Sequence, residues 1–316
     1  MQTQELDRPR RAAPAWWPRE QQARVSRLRW TRGYSSDDVE DRRGEGPASA
    51  GIGGAPLGIL FWLFSRFGLP GVLIGGVALY FLGSFGGGGG SQPARNEQLS
   101  SGAREAETEG VQFVSWVLDD VQKTWAERFA QSGKQYRRAR MVLFNGSIAS
   151  ACGLGQRAMG PFYCPGDQKV YLDLAFYRDL RGRFGAPGDL AQAYVVAHEI
   201  GHHVQHLLGI DRKTQSGPRS QLQGEHGASV KLELQADCLA GMWANSTEQR
   251  KLLDTGDIEG ALKAAASIGD DQLQREATGR VQPEKWTHGS AAERSRWFKR
   301  GYELGKLEAC DTFASE

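Results

Sequence analysis

The chain has 316 residues with a net charge of +2, enough for one or two domains, and nothing in that balance marks a nucleic-acid binder. Charged residues at 24% and hydrophobic residues at 40% exclude a wholly disordered chain, and four cysteines exclude a small disulfide scaffold. A mean hydropathy of −0.50 excludes a multi-span membrane protein but leaves room for one span.

Residues 1–56 are rich in Arg, Pro and acidic residues with little periodicity, and read as a disordered cytoplasmic tail. Residues 57–85 read as a membrane anchor. Within it, 67–85 carries no charge, close to the roughly 20 residues that cross a bilayer as a helix. Gly71 and Gly75 form a small-xxx-small face suited to a weak homodimer. Residues 1–66 hold 11 arginines, so the positive-inside rule puts the N-terminus in the cytoplasm. The C-terminal part would then lie outside the inner membrane, in a single-pass arrangement facing the periplasm or cell surface. Sixteen of the 41 glycines fall between Gly44 and Gly90, and residues 86–110 read as a Gly-rich linker.

Residues 111–316 form the globular part, of α+β class and mainly helical with a small sheet. Residues 111–130 show helical periodicity, and 141–144 suit a short strand. Residues 169–177 alternate as a half-buried strand, whose edge could pair with an extended peptide. Helices follow at 190–208, with Asp189 as N-cap and Gly209 closing the C-terminus, then at 230–245, 258–268 and 291–304.

The chemistry sits in the 190–208 helix, where His198-Glu199-Ile200-Gly201-His202 is an HExxH motif. Histidines at i and i+4 share a helix face and can meet one Zn²⁺, and Glu199 beside them is the candidate base for a metal-activated water. A third ligand is required. The metzincin pattern fails, because its positions hold Gln205 and Leu208. His206 lies eight residues from His198, a rise of about 12 Å, too far for one ion. His206 and His203 therefore read as solvent-facing or as outer partners of the site.

Glu233-Leu-Gln-Ala-Asp237 on the next helix supplies an ExxxD pattern, with Glu233 as carboxylate ligand and Asp237 as partner to a liganding ring. Glu225 is the rival carboxylate, in a glycine-flanked stretch. The oxyanion donor is sought at His288, with Arg294, nearby in sequence, as an outer partner of the site, and a helix-capping loop with a surface histidine is the competing reading. Cys152–Cys164 and Cys238–Cys310 are the expected disulfides in an oxidising compartment, against buried free thiols. One zinc ion per chain, a peptide or protein substrate, a bilayer contacted through one helix and no nucleic-acid partner follow from these readings. The alternative is a catalytically inactive, zinc-stabilised envelope scaffold, which would need the ligands but not Glu199.

Several stretches resemble the neutral zinc metallopeptidase family of the YpfJ type: 29–44 (RWTRGYSSDDVEDRRG), 158–177, 191–210, 233–241 and 279–301. The resemblance implies a membrane-anchored zinc peptidase with a gluzincin-like helical core. The spacing from His288 to Arg294 is also similar to a motif of HtpX-like and CAAX-prenyl membrane peptidases. The chain departs from the family in about 28 residues before Arg29-Trp30 and in Asp38, where the pattern has Asn.

Overall fold

Apolar residues at helical spacing nucleate the longest element, α1 (Ser101–Gln131). Its Val114, Val117, Leu118, Val121 and Trp125 are buried along one stripe. The computed structural model describes residues 28–45, 101–214 and 219–314. The predicted span at 67–85, its Gly71–Gly75 face and the linker up to residue 100 lie outside the described residues. Among the described residues, no helix is long and apolar enough to cross a membrane.

The main sheet has four strands: β1 (Val39–Asp41), β2 (Arg140–Leu143), β5 (Phe162–Cys164) and β6 (Lys169–Leu172), in the order β1-β2-β6-β5. β1 and β6 run parallel to β2, and β5 runs antiparallel to β6. Between β2 and β5 stands a hairpin of β3 (Ser147–Ser150) and β4 (Gly153–Gln156). The helices that follow are α2 (Ala175–Gly182), α3 (Asp189–Leu208), α4 (Ala228–Gln249), α5 (Asp257–Ser267), α6 (Asp270–Thr278) and α7 (Ala291–Leu304). Two short helical turns, Ile210–Thr214 and Arg219–Leu222, lie between α3 and α4. The expected class, mainly helical with small sheets, is the observed one.

Four boundaries differ from the sequence reading. The linker ends ten residues early, because 101–110, rich in Ala and Glu, joins α1. The strand expected over 169–177 stops at Leu172, where the Asp173 carboxylate accepts the Ala175 N–H at 2.8 Å and α2 begins. β6 lies between β2 and β5, so its edge is taken; the edge strand on that side is β5. Gly188 caps α3, and Asp189 is its first residue.

The fourth difference is the largest. Residues 28–45, read as part of a disordered tail, are a strap on the domain. Leu28 is buried, the Tyr34 hydroxyl donates to Asp119 at 2.9 Å, and β1 pairs with β2. Arg138 bridges Asp38 of the strap and Asp119 of α1. The reading of residues 28–45 as disordered is therefore corrected.

The helical layer is tight where the site is built. A Cβ on Gly201 would lie 3.1 Å from the Ala236 Cα and carbonyl oxygen, so glycine lets α3 and α4 approach backbone to backbone. Both expected disulfides are present, Cys152–Cys164 and Cys238–Cys310. The first fastens the β3–β4 turn to the edge strand, and the second fastens α4 to the chain end.

Candidate metal centre

α3 carries His198 and His202 one turn apart, and α4 crosses beside them carrying Glu233. Ligand atoms of these three residues lie within 4.8 Å of one another. His198 Nε2 is 3.3 Å from one Glu233 oxygen, and His202 Nε2 is 3.3 Å from the other. Two imidazoles and one carboxylate around a common point are a donor set suited to a catalytic zinc. The residues present therefore fit the ion expected from the motif.

Burial alone would lower the His198 pKa, but the Asp237 and Glu233 carboxylates override it and raise it to about 10. His202 is raised by Glu233 against the same desolvation. Glu233, whose carboxyl burial would push up, is held well below the usual carboxylate range by His202 and His198. A negative centre thus faces two ring nitrogens, the electrostatics a divalent cation completes.

Behind His198 lies a buried polar network. The Asp237 carboxylate is fully buried and accepts from His198 Nδ1 at 2.9 Å, from Arg294 Nε at 2.9 Å and from the Tyr194 hydroxyl. Arg294 is 1% exposed, and its guanidinium also donates to the Tyr194 hydroxyl at 3.2 Å and the Ile268 carbonyl at 3.3 Å. Asp237 stands where the ExxxD reading puts it. Arg294, expected as an outer partner of the site, meets Asp237 directly. Tyr194, one turn before His198, is a member that the motif reading missed, since a tyrosine in an apolar run reads as core.

Glu199 is 7% exposed and lines the same cleft, of about 1140 Å³, as the three ligand candidates. His288 reaches that cleft from the loop before α7, its side chain about half exposed. Asp270 at the start of α6 holds this loop. One of its oxygens accepts the backbone N–H groups of Thr287, His288 and Gly289 at 2.7, 2.6 and 3.1 Å, while the other faces His288 Nδ1 at 3.3 Å. The loop is also a cap: Ser290 and Glu293 form a capping box on α7. The loop is thus a cap, and His288 within it lines the cleft.

The rejected candidates separate cleanly. Glu225 is exposed and outside the cluster. His203 is neither solvent-facing nor beside the metal cluster: it is buried, bonded at Nδ1 to the Tyr163 hydroxyl and donating from Nε2 to the Arg137 carbonyl. His206 pairs with Asp211 at 2.7 Å.

Residues 28–313 match the family described as "Putative neutral zinc metallopeptidase". The chain is 43% identical over 290 residues to "Uncharacterized protein YpfJ" of Escherichia coli (strain K12), covering 90% of this chain and 99% of that protein. It is 47% identical over 191 residues to "Uncharacterized protein Rv2575" of Mycobacterium tuberculosis (strain ATCC 25618 / H37Rv), covering 57% of this chain and 64% of that protein. No solved structure matches the chain.

Proposed function

Because this chain belongs to the neutral zinc metallopeptidase family, we propose that it hydrolyses peptide bonds at the His198–His202–Glu233 cluster, with one zinc ion per chain. The observation that carries the reading is the convergence of both Nε2 atoms on the Glu233 carboxylate, in a cleft also lined by Glu199. His198 Nε2, His202 Nε2 and Glu233 would hold the ion, which supplies Lewis acidity toward a carbonyl and makes water easier to ionise.

The protein's own residues do the rest. Glu199 follows His198 directly, and its carboxylate takes the proton of the attacking water and returns it to the leaving nitrogen. Asp237 and Arg294 keep the His198 ring oriented through the bonds at Nδ1 and Oδ2. His288, reaching into the cleft and held by Asp270, donates to the oxygen that gains charge as the carbonyl carbon turns tetrahedral. An extended peptide backbone would pair with edge strand β5, whose Phe162 and Tyr163 line the cleft. A scaffold role would give Glu199 no work, although it sits in the cleft beside both histidines.

Two disulfides joining four cysteines support a working place outside the cytoplasm, since such bonds persist in oxidising compartments.

The test is zinc content together with peptide hydrolysis for the wild type and Glu199→Gln. The variant should retain zinc and lose about 10²- to 10⁴-fold in kcat. Hydrolysis unchanged at full zinc content would overturn the reading.

A further inference from the structure

A histidine that binds a metal through one ring nitrogen needs a partner at the other, which fixes its tautomer and ring plane. For His198 that partner is Asp237. For His202 it is Gln205, three residues on in the same helix: His202 Nδ1 lies 2.9 Å from Gln205 Oε1. The position attracts attention in the sequence only as a mismatch to the metzincin pattern.

The amide orientation is fixed by acceptors that cannot donate. Gln205 Nε2 lies 2.7 Å from the Leu232 carbonyl, so the NH₂ group must point there and the oxygen must face His202. The same NH₂ reaches Gln235 Oε1 at 3.1 Å. Gln235 is fixed in turn, because its own NH₂ donates to the Cys310 carbonyl at 2.9 Å. Cys310 is bonded to Cys238 of α4, one residue beyond Asp237. Gln205 and Gln235 are 1% and 6% exposed, so no bulk water competes for these groups. A buried polar chain satisfied at every member is worth keeping only where something depends on it. Here the chain begins at a ligand candidate, and its Leu232 branch ends on the residue preceding Glu233.

We propose that Gln205 is a positioning residue for metal binding. Its amide oxygen holds the proton of His202 on Nδ1 and leaves Nε2 free to ligate. Gln235 and the Leu232 and Cys310 carbonyls lock that amide in place. The contact also pins the two ligand-bearing helices together beside the ligands. The inference rests on the cluster being the zinc site, but not on any activity.

Zinc dissociation into a chelator is the measurement, made on the full chain alongside thermal unfolding of the zinc-free protein. If the wild type binds no zinc, the metal reading itself fails, and the two failures are thus distinguishable. With the wild type loaded, Gln205→Leu keeps the volume but cannot accept, and should release zinc about 10- to 100-fold faster. Gln205→Glu still accepts from Nδ1 but gives up the donations to the Leu232 carbonyl and Gln235, so it should release zinc faster than the wild type and more slowly than Gln205→Leu. A folded Leu variant with the wild-type rate, or a folded Glu variant that releases zinc as fast as the Leu variant, overturns the proposal. If neither variant folds, the zinc-loaded wild type decides by NMR. A slowly exchanging, downfield His202 Nδ1 proton supports the bond, and a freely exchanging one overturns it.

Discussion

Asp270 serves two purposes with one carboxylate. Three backbone N–H groups converge on one oxygen, and His288 Nδ1 faces the other. Burial would raise the Asp270 pKa, but the bonds from His288 and the loop amides hold it below the usual carboxylate range. The His288 pKa moves the other way: desolvation would lower it, and the bond to Asp270 and the Glu233 charge raise it. The imidazole is therefore biased toward its charged form, the better donor to a developing oxyanion. Replacing His288 by Ala should cost about 10²- to 10³-fold in kcat. Asp270→Asn keeps an oxygen for the loop amides and loses only the charge, so the fold and zinc content should stay. Its kcat should fall by less than in His288→Ala, and the alkaline limb of its pH–rate profile should move to lower pH. The sign follows because removing the anion removes what raises the His288 pKa. An Asp270→Asn profile superimposable on the wild type would refute the pairing. Nothing in the sequence marks Asp270, which looks like any acid in the first turn of a helix, 18 residues before its partner.

The elements meet at glycines, and one of them makes a prediction whose sign is informative. In a free helix Gly201→Ala would stabilise by about 1 kcal/mol, because alanine is the better helix former. Here the added methyl would press on the Ala236 backbone at 3.1 Å, and backbone does not swing aside. The variant should instead lose about 1–3 kcal/mol of stability and bind zinc more weakly, as α4 is pushed from the histidines. Denaturant unfolding and metal content check both; a stabilised variant with normal zinc would show the helices are less tightly apposed. The same distinction separates what could be read in the sequence from what could not. The 3.6-residue pattern in 190–208 and the i, i+4 pairs His198/His202 and Glu233/Asp237 are local, and they stand in the structure as read. So do both disulfides. The short strands are different: β1, β3, β4 and β5 are three or four residues each, too short to show a clear alternation, and β1 exists only through its pairing with β2, far along the chain. Gln205 and Tyr194 were hidden for a related reason, since a polar group on a helix becomes part of a site only when a second helix supplies its acceptors.

At the scale of the whole molecule, the strap makes a prediction about topology. Arg29 reaches Asp254 at 3.0 Å and donates to the Lys251 carbonyl at 3.2 Å, near the end of α4. Tyr34 and Ser36 both donate to Asp119 of α1, Glu40 accepts from Lys169 of β6 at 2.9 Å, and the Arg43 carbonyl accepts from Asn145 at 3.0 Å. Exposed ion pairs contribute little singly, roughly 0–1 kcal/mol each, but the buried Leu28 and the β1–β2 ladder fix the register they share. We predict that residues 28–45 and the rest of the domain lie on the same side of any membrane, since a chain that crosses once between them could not form this sheet. The native cysteines are all paired, so single introduced thiols report cleanly. Ser35 on the strap and Thr255 after α4 are both exposed. Ser35→Cys and Thr255→Cys, probed in intact cells with a membrane-impermeant maleimide, should react alike. Both should label before lysis if the domain works outside the cytoplasm, as its disulfides suggest, and both only after lysis if it does not. Labelling of one site before lysis and the other only after it would place the strap and the domain on opposite faces and break the β1–β2 pairing.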